Sequence, residues 1–242
     1  MRHVTSTVWQ LHSARGCNVY AVEADNQELA IVDCGLRISE RVVSEVRKIQ
    51  VDNKLGDVTH ILITHKHRDH IGGLRDLRRY FPRAKIVAGE LDCIFDDDNT
   101  PWIGENQVTT VVPGELGLVT QLTTNLRALS LPGHTMGSLA FICEKSRVTF
   151  TGDMVISHAN TLARPLKFLN ADDALYIKSL KVLADSATDT GAPGHGFLIP
   201  DLFVKKLYDL AEQPRKKMNP LEIYRIIKGV IAFIRLRRRT SI

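Results

Sequence analysis

Residues 64–73 read Thr-His-Lys-His-Arg-Asp-His-Ile-Gly-Gly and directly follow the apolar run Ile61-Leu62-Ile63. Three histidines and one aspartate, His65, His67, Asp69 and His70, thus fall within six residues at what reads as the end of a strand. In an extended chain, residues two apart point the same way, so His65 and His67 can share one metal ion. Asp69 and His70 come where the chain turns into a helix and can face a second ion. A single histidine in a core is usually structural. Four clustered groups of types that suit zinc are not explained that way. Gly72 and Gly73 allow a tight turn and a close backbone approach. His60, inside the strand, reads as a core or face residue and no ligand.

Three later pieces each set one His or Asp beside glycine, in what read as turns. They are Pro132-Gly133-His134-Thr135-Met136-Gly137-Ser138, Phe150-Thr151-Gly152-Asp153 and Pro193-Gly194-His195-Gly196. Each alone is weak. With the first cluster they supply five histidines and two aspartates as candidate ligands. Upstream, Asp33 ends the apolar run Ile31-Val32.

The hydrophobic pattern predicts strands over 19–23, 29–32, 60–64, 85–88, 108–112, 126–131, 139–143 and 148–151. Helical periodicity lies between and after them. Ser39 can cap a helix whose apolar face is Val42, Val43, Val46 and Ile49. Leu74, Leu77 and Phe81 mark a second helix, ended by Pro82. Tyr176, Leu180, Leu183 and Ala184 mark a third, and Phe203, Leu207 and Leu210 a fourth. A last helix is expected from Asn219, with Pro220 at its first position and Glu222 reaching back. Asp96, Asp97 and Asp98 read as an exposed loop. Sheets covered by helices on their outer faces fit this order.

At 242 residues the chain can bury a large core without disulfides. No apolar run reaches the ~18 residues of a spanning helix, and the start lacks the apolar stretch of a secretory signal. Cys17, Cys34, Cys93 and Cys143 form no CxxC pair and read as reduced, partly buried thiols of a cytoplasmic protein. The net charge is +5, but residues 200–242 alone carry +7 and the remainder −2. In that stretch Arg235, Arg237, Arg238 and Arg239 follow Ile227, Ile231 and Ile234. The plainest reading is a solvated tail; the alternative is weak contact with an anionic membrane or with nucleic acid.

Taken in order and spacing, HxHxDH, GHTxGS, GD and GHG resemble the metallo-β-lactamase superfamily, nearest its hydrolase branches such as the glyoxalase II group. The resemblance covers about residues 16–199. It implies an α/β (α+β) chain folded as a four-layer αβ/βα sandwich, with a hydrolase domain over 1–212 and a short basic helical appendix over 213–242. It implies that His65, His67 and His134 bind one metal, that Asp69, His70 and His195 bind another, and that Asp153 bridges them. Asp33 would orient a ligand histidine or the loop. Two zinc ions per chain are expected, with iron or manganese as alternatives. A metal-bridging hydroxide would then attack a small ester, thioester, lactone or lactam, with Asp69 also accepting the proton. A phosphodiesterase or ribonuclease, or a mono-iron persulfide dioxygenase, is the alternative on the same scaffold. Glyoxalase II and persulfide dioxygenases follow their GD with Cys-Gly-Arg/Lys. Here Asp153 is followed by MVISHANTLARPLKF, which weakens a glutathione-thioester reading. The segment 153–168 then reads as the substrate loop, with His158, Asn160, Arg164 and Lys167 as polar candidates. Lys66 and Arg68 are expected to face solvent.

Overall fold

A computed structural model of the chain describes residues 1–93, 110–158 and 161–214. The chain divides into two compact units, Met1–Ala211 and Glu212–Ile242. The helix expected from Asn219, the arginines from Arg235 onward and the acidic stretch Asp96 to Asp98 lie outside the described residues.

The first unit is built from two sheets. One comprises β1 (Arg2–His3), β2 (Val8–Leu11), β3 (Val19–Glu23), β4 (Leu29–Val32), β5 (Val58–Leu62), β6 (Lys85–Gly89) and β7 (Thr110–Val112), paired in that order. The strands are antiparallel up to the β3/β4 pair and parallel from β4 to β7. The other runs β12 (Thr161–Ala163), β11 (Val148–His158), β10 (Leu139–Cys143), β9 (Leu126–Ser130) and β8 (Val119–Gln121). Its last member, β13 (Thr190–His195), pairs in parallel with β11.

Alternation along the strands separates three layers of core. In β3 and β4, Ala21 and Ile31 pack beneath α1 (Glu40–Asn53) and α3 (Leu74–Tyr80), which contribute Val42, Val46, Ile49, Leu74 and Leu77. The intervening Tyr20, Val22 and Val32 point the other way and meet Leu126, Leu139, Phe141 and Phe150 of the second sheet. Tyr20 and Phe150 touch with ring centroids 5.3 Å apart. The outer face of the second sheet, through Leu129, Ala140 and Ile142, is covered by α4 (Asp173–Ser186) and α5 (Phe203–Glu212). Strands buried on both faces carry apolar residues at every position, so their sequences read as unbroken apolar runs. The result is the four-layer αβ/βα arrangement.

Several boundaries differ from the sequence expectation. β5 stops at Leu62 instead of residue 64, because the Thr64 N–H leaves the ladder and donates to the Asp33 carboxylate at 2.8 Å. Ser39 stands at the start of α1 without a side-chain capping bond, whereas Asp172 caps α4 through the Leu175 N–H. Gly72 and Gly73 both keep a negative φ, of −59° and −89°; what they supply is closeness, since a Cβ on Gly73 would lie 2.3 Å from the Cys34 carbonyl. β11 does not end at residue 151 but continues to His158 and pairs with β12. The expected substrate loop is therefore largely a strand pair. Within it Arg164 bonds the Leu210 carbonyl, Lys167 lies on an exposed single turn, His158 is exposed at the strand end, and Asn160 is outside the described residues. All four cysteines are free and buried, and among the described residues no helix is long and apolar enough to cross a membrane.

Candidate metal centre

All seven candidate ligands converge at one end of the two sheets. His65 and His67 lie on the loop leaving β5, and Asp69 and His70 lie on α2 (Arg68–Ile71). His134 sits in the turn between β9 and β10. Asp153 and His195, expected in turns, are strand residues: Asp153 lies inside β11 just after an irregularity, and His195 is the last residue of β13. The irregularity is centred on Gly152, at φ +49°. A Cβ there would sit 2.5 Å from the Thr64 hydroxyl, so only glycine lets β11 press against the end of β5 and aim Asp153 inward.

The seven residues fall into two sets whose donor atoms are mutually within 4.8 Å: His65, His67, His134 with Asp153, and Asp69, His70 with His195. Asp153 serves both. Its Oδ2 faces His134 Nε2 at 3.7 Å and His65 Nε2 at 4.0 Å. Its Oδ1 faces His70 Nε2 at 3.2 Å and His195 Nε2 at 3.5 Å. His195 Nε2 is also 3.1 Å from Asp69 Oδ2.

Groups behind the rings fix which nitrogen turns inward. The His70 Nδ1–H donates to Asp33 Oδ2 at 2.7 Å, since a carboxylate can only accept. The Thr64 hydroxyl donates to Asp33 and so accepts from His65 Nδ1 at 3.1 Å. His134 Nδ1 meets Asn170 Oδ1 at 2.9 Å, an amide orientation fixed by the Asn170 Nδ2 bond to Asp173. In each case Nε2 is left facing the centre. His67 instead turns Nδ1 inward, 3.0 Å from His134 Nε2. Two ring nitrogens that close must share a proton or a cation.

The electrostatics follow from burial and these partners. Burial holds His65 well below the usual histidine range, and His67 below it. For His70, burial acts downward but is outweighed by Asp33, Cys17 and Asp153, which hold it well above. Burial would raise Asp153, yet His70 and His195 keep it well below the carboxylate range. Asp69 is likewise kept low, against burial, by its bond to His195. Burial pushes the Cys17 thiol, which adjoins Asp33 and His70, up to about 11.

The residues fit divalent ions on an observation independent of any resemblance. His65 Nε2, His70 Nε2 and Asp153 Oδ1 are buried without a hydrogen-bond partner. Buried polar atoms are nearly always satisfied, and unsatisfied ones in both donor sets call for ligands. Imidazole and carboxylate are the donor set of zinc, and the anchored Nδ1–H groups match the support that metal-binding histidines need. His60 stays apart, its Nδ1 bonded to Thr59.

Sequence reading missed several supporting residues. Thr64 and Asn170 carry no spacing signal. Asp92 follows β6 outside any motif, yet it is buried and accepts from the Lys66 and Gly137 N–H groups and the Thr135 hydroxyl. Lys66 faces solvent as expected, with its side chain 42% exposed, but its Nζ also lies 3.7 Å from Asp92.

Comparison with known proteins bears on the family and the fold. The metallo-beta-lactamase superfamily model matches residues 12–195. The atrochrysone carboxyl ACP thioesterase AacuM of Aspergillus aculeatus is 30% identical over 207 residues, 86% of this chain and 59% of that protein. The chain thus spans less than two thirds of that relative's length. The uncharacterized protein YobT of Bacillus subtilis is 33% identical over 215 residues, covering 78% of this chain and 88% of that one. Among solved structures, the DIM-1 metallo-beta-lactamase superposes with a TM-score of 0.64 at 19% identity, over 87% of this chain and 95% of that chain. The BLEG-1 B3 metallo-beta-lactamase superposes with a TM-score of 0.59 at 21% identity, over 89% and 99% respectively. With a family model spanning most of its length and that fold beneath it, the chain belongs to the metallo-β-lactamase superfamily.

Proposed function

We propose that this chain is a metal-dependent hydrolase that cleaves an acyl bond, with a thioester as the foremost substrate class. The observation that carries the reading is Asp153, whose two carboxylate oxygens face two different donor sets. His65, His67 and His134 would hold one ion, Asp69, His70 and His195 the other, and Asp153 would contact both. Zinc is the expected metal. Divalent ions bound there would supply Lewis acidity toward an acyl carbonyl and would acidify a water.

The chain's own residues have separable parts in this reaction. Asp33, Thr64 and Asn170 hold three rings with Nε2 inward. Asp69, with its side chain 34% exposed, is kept ionised by His195 and can take a proton at Oδ2 and release it to solvent. Two exposed apolar residues, Phe168 and Leu169, immediately precede Asn170, and exposed Phe197 follows His195 by two positions. An apolar fringe of this kind suits an acyl chain better than a phosphodiester backbone. The relatives described as ACP thioesterases favour a thioester over a lactam.

The test is a substrate panel on zinc-loaded protein: an acyl-pantetheine thioester, a lactone, a lactam and a short single-stranded RNA, with metal content measured alongside. Expected are two zinc ions per chain and fastest turnover of the thioester, abolished by a chelator. RNA cleavage without acyl hydrolysis would overturn the reading, as would one tightly held iron with persulfide oxidation.

A further inference from the structure

The turn that carries His134 and the loop that carries His65 and His67 come from different sheets, and one buried carboxylate joins them. Asp92, 2% exposed, lies on the single turn Glu90–Asp92 that follows β6. Its Oδ2 accepts the Lys66 N–H at 2.9 Å, from the residue between His65 and His67. The same oxygen accepts the Thr135 hydroxyl at 2.6 Å, from the residue after His134. Its Oδ1 accepts the Gly137 N–H at 2.9 Å. Ser138 closes the arrangement, its hydroxyl 2.8 Å from that of Thr135 and accepting the Thr135 N–H at 2.9 Å. The packing is as close as the bonding: a Cβ on Gly137 would lie 2.4 Å from the Asp92 nitrogen, and one on Gly89 would lie 2.0 Å from the Gly137 carbonyl oxygen.

We propose that Asp92 is a positioning residue that fixes His67 and His134 against each other and so sets the metal affinity of the His65, His67, His134 set. None of these bonds reaches a ligand ring. Asp92 holds the backbone beside one ligand and the side chain beside another, across the gap where His67 Nδ1 and His134 Nε2 stand 3.0 Å apart. The second set has its own supports: His70 is held by Asp33, and His195 rides on β13. The clamp therefore acts on one set and spares the other. Asparagine cannot replace it. Each of its carboxylate oxygens accepts from a donor, and an amide nitrogen at either place would confront an N–H or O–H.

This inference rests on the metal reading above, and the experiment separates the two. Zinc is titrated into metal-free wild type, Asp92→Ala, Asp92→Asn and Thr135→Val, competing against a chromophoric chelator. The cobalt-substituted proteins are followed by absorption spectroscopy to tell the two sets apart. If wild type binds no zinc, the metal reading fails. If wild type binds two ions, Asp92→Ala and Asp92→Asn should both weaken the three-histidine set about 10–100-fold, the range typical of residues behind metal ligands. Affinity of the second set should stay within about three-fold. Thr135→Val removes one of the side-chain bonds and should weaken the same set less. Equal weakening of both sets, or none, overturns the proposal. Should the Asp92 variants fail to fold, Thr135→Val decides by the same criterion.

Discussion

Lys66 sits between two inward-facing histidines, yet its own ammonium reaches sideways toward Asp92 and stays half in water. Neighbours in sequence thus have unequal consequences. His67→Ala deletes a donor from the three-histidine set, and Asp69→Ala deletes both a donor and the carboxylate most open to solvent. Both should lower kcat/KM of the metal-loaded enzyme by at least about 100-fold, beyond the loss typical of residues that only support a ligand. Lys66→Ala removes a partly exposed ion pair worth about 0–1 kcal/mol and leaves Asp92 its remaining donors. It should cost no more than about five-fold; a loss as deep as that of His67→Ala would contradict the side-chain directions in this loop. All seven converging residues were legible: His65, His67, Asp69 and His70 because they crowd into six positions after an apolar run, and His134, Asp153 and His195 because each stands beside glycine. Asp92 was not. In Glu90-Leu91-Asp92 an acid after a strand looks like surface, and only the fold brings the Lys66, Thr135 and Gly137 donors to it.

Among the elements, some strands were readable to the residue, while others, including the interior strands β5 and β11, were not. β3, β4 and β10 keep the predicted bounds because burial on both faces makes all their positions but Glu23 hydrophobic. β13 reads Thr-Gly-Ala-Pro-Gly-His, which by propensity is a turn. It forms a strand because β11 offers a parallel partner across an irregular register, a tertiary contact that overrides local preference. The same contact explains the misread segment after Asp153: Ser157 and His158 look like loop, but Ser157 is buried and bonded to the Phe197 carbonyl. The intersheet layer gives a direct check on the packing. Phe141 is fully buried there, and Phe141→Ala should lower unfolding stability by about 3–5 kcal/mol in urea denaturation of metal-free protein. A change below 1 kcal/mol would mean that the two sheets do not meet as described.

For the molecule as a whole, the unsatisfied nitrogens at the centre predict that occupancy and stability rise together. Unfolded chain cannot assemble the seven groups, so ions bound to the native state stabilise it by mass action. Free zinc at 100 times Kd adds about 2.7 kcal/mol per site. Thermal unfolding of chelator-treated protein should therefore begin several degrees below that of zinc-loaded protein, and coincident curves would argue against a native-state metal centre. The path of the chain gives this linkage a particular form. Every described strand of the first sheet precedes residue 113 and every described strand of the second follows residue 118, so the backbone passes between the sheets once. His65, His67, Asp69 and His70 belong to the first half, and His134, Asp153 and His195 to the second. The centre is accordingly a seam between two contiguous lengths of polypeptide, arranged as a metal shared by two subunits would be. An ion seated there would rivet the halves together, and its dissociation would report their parting.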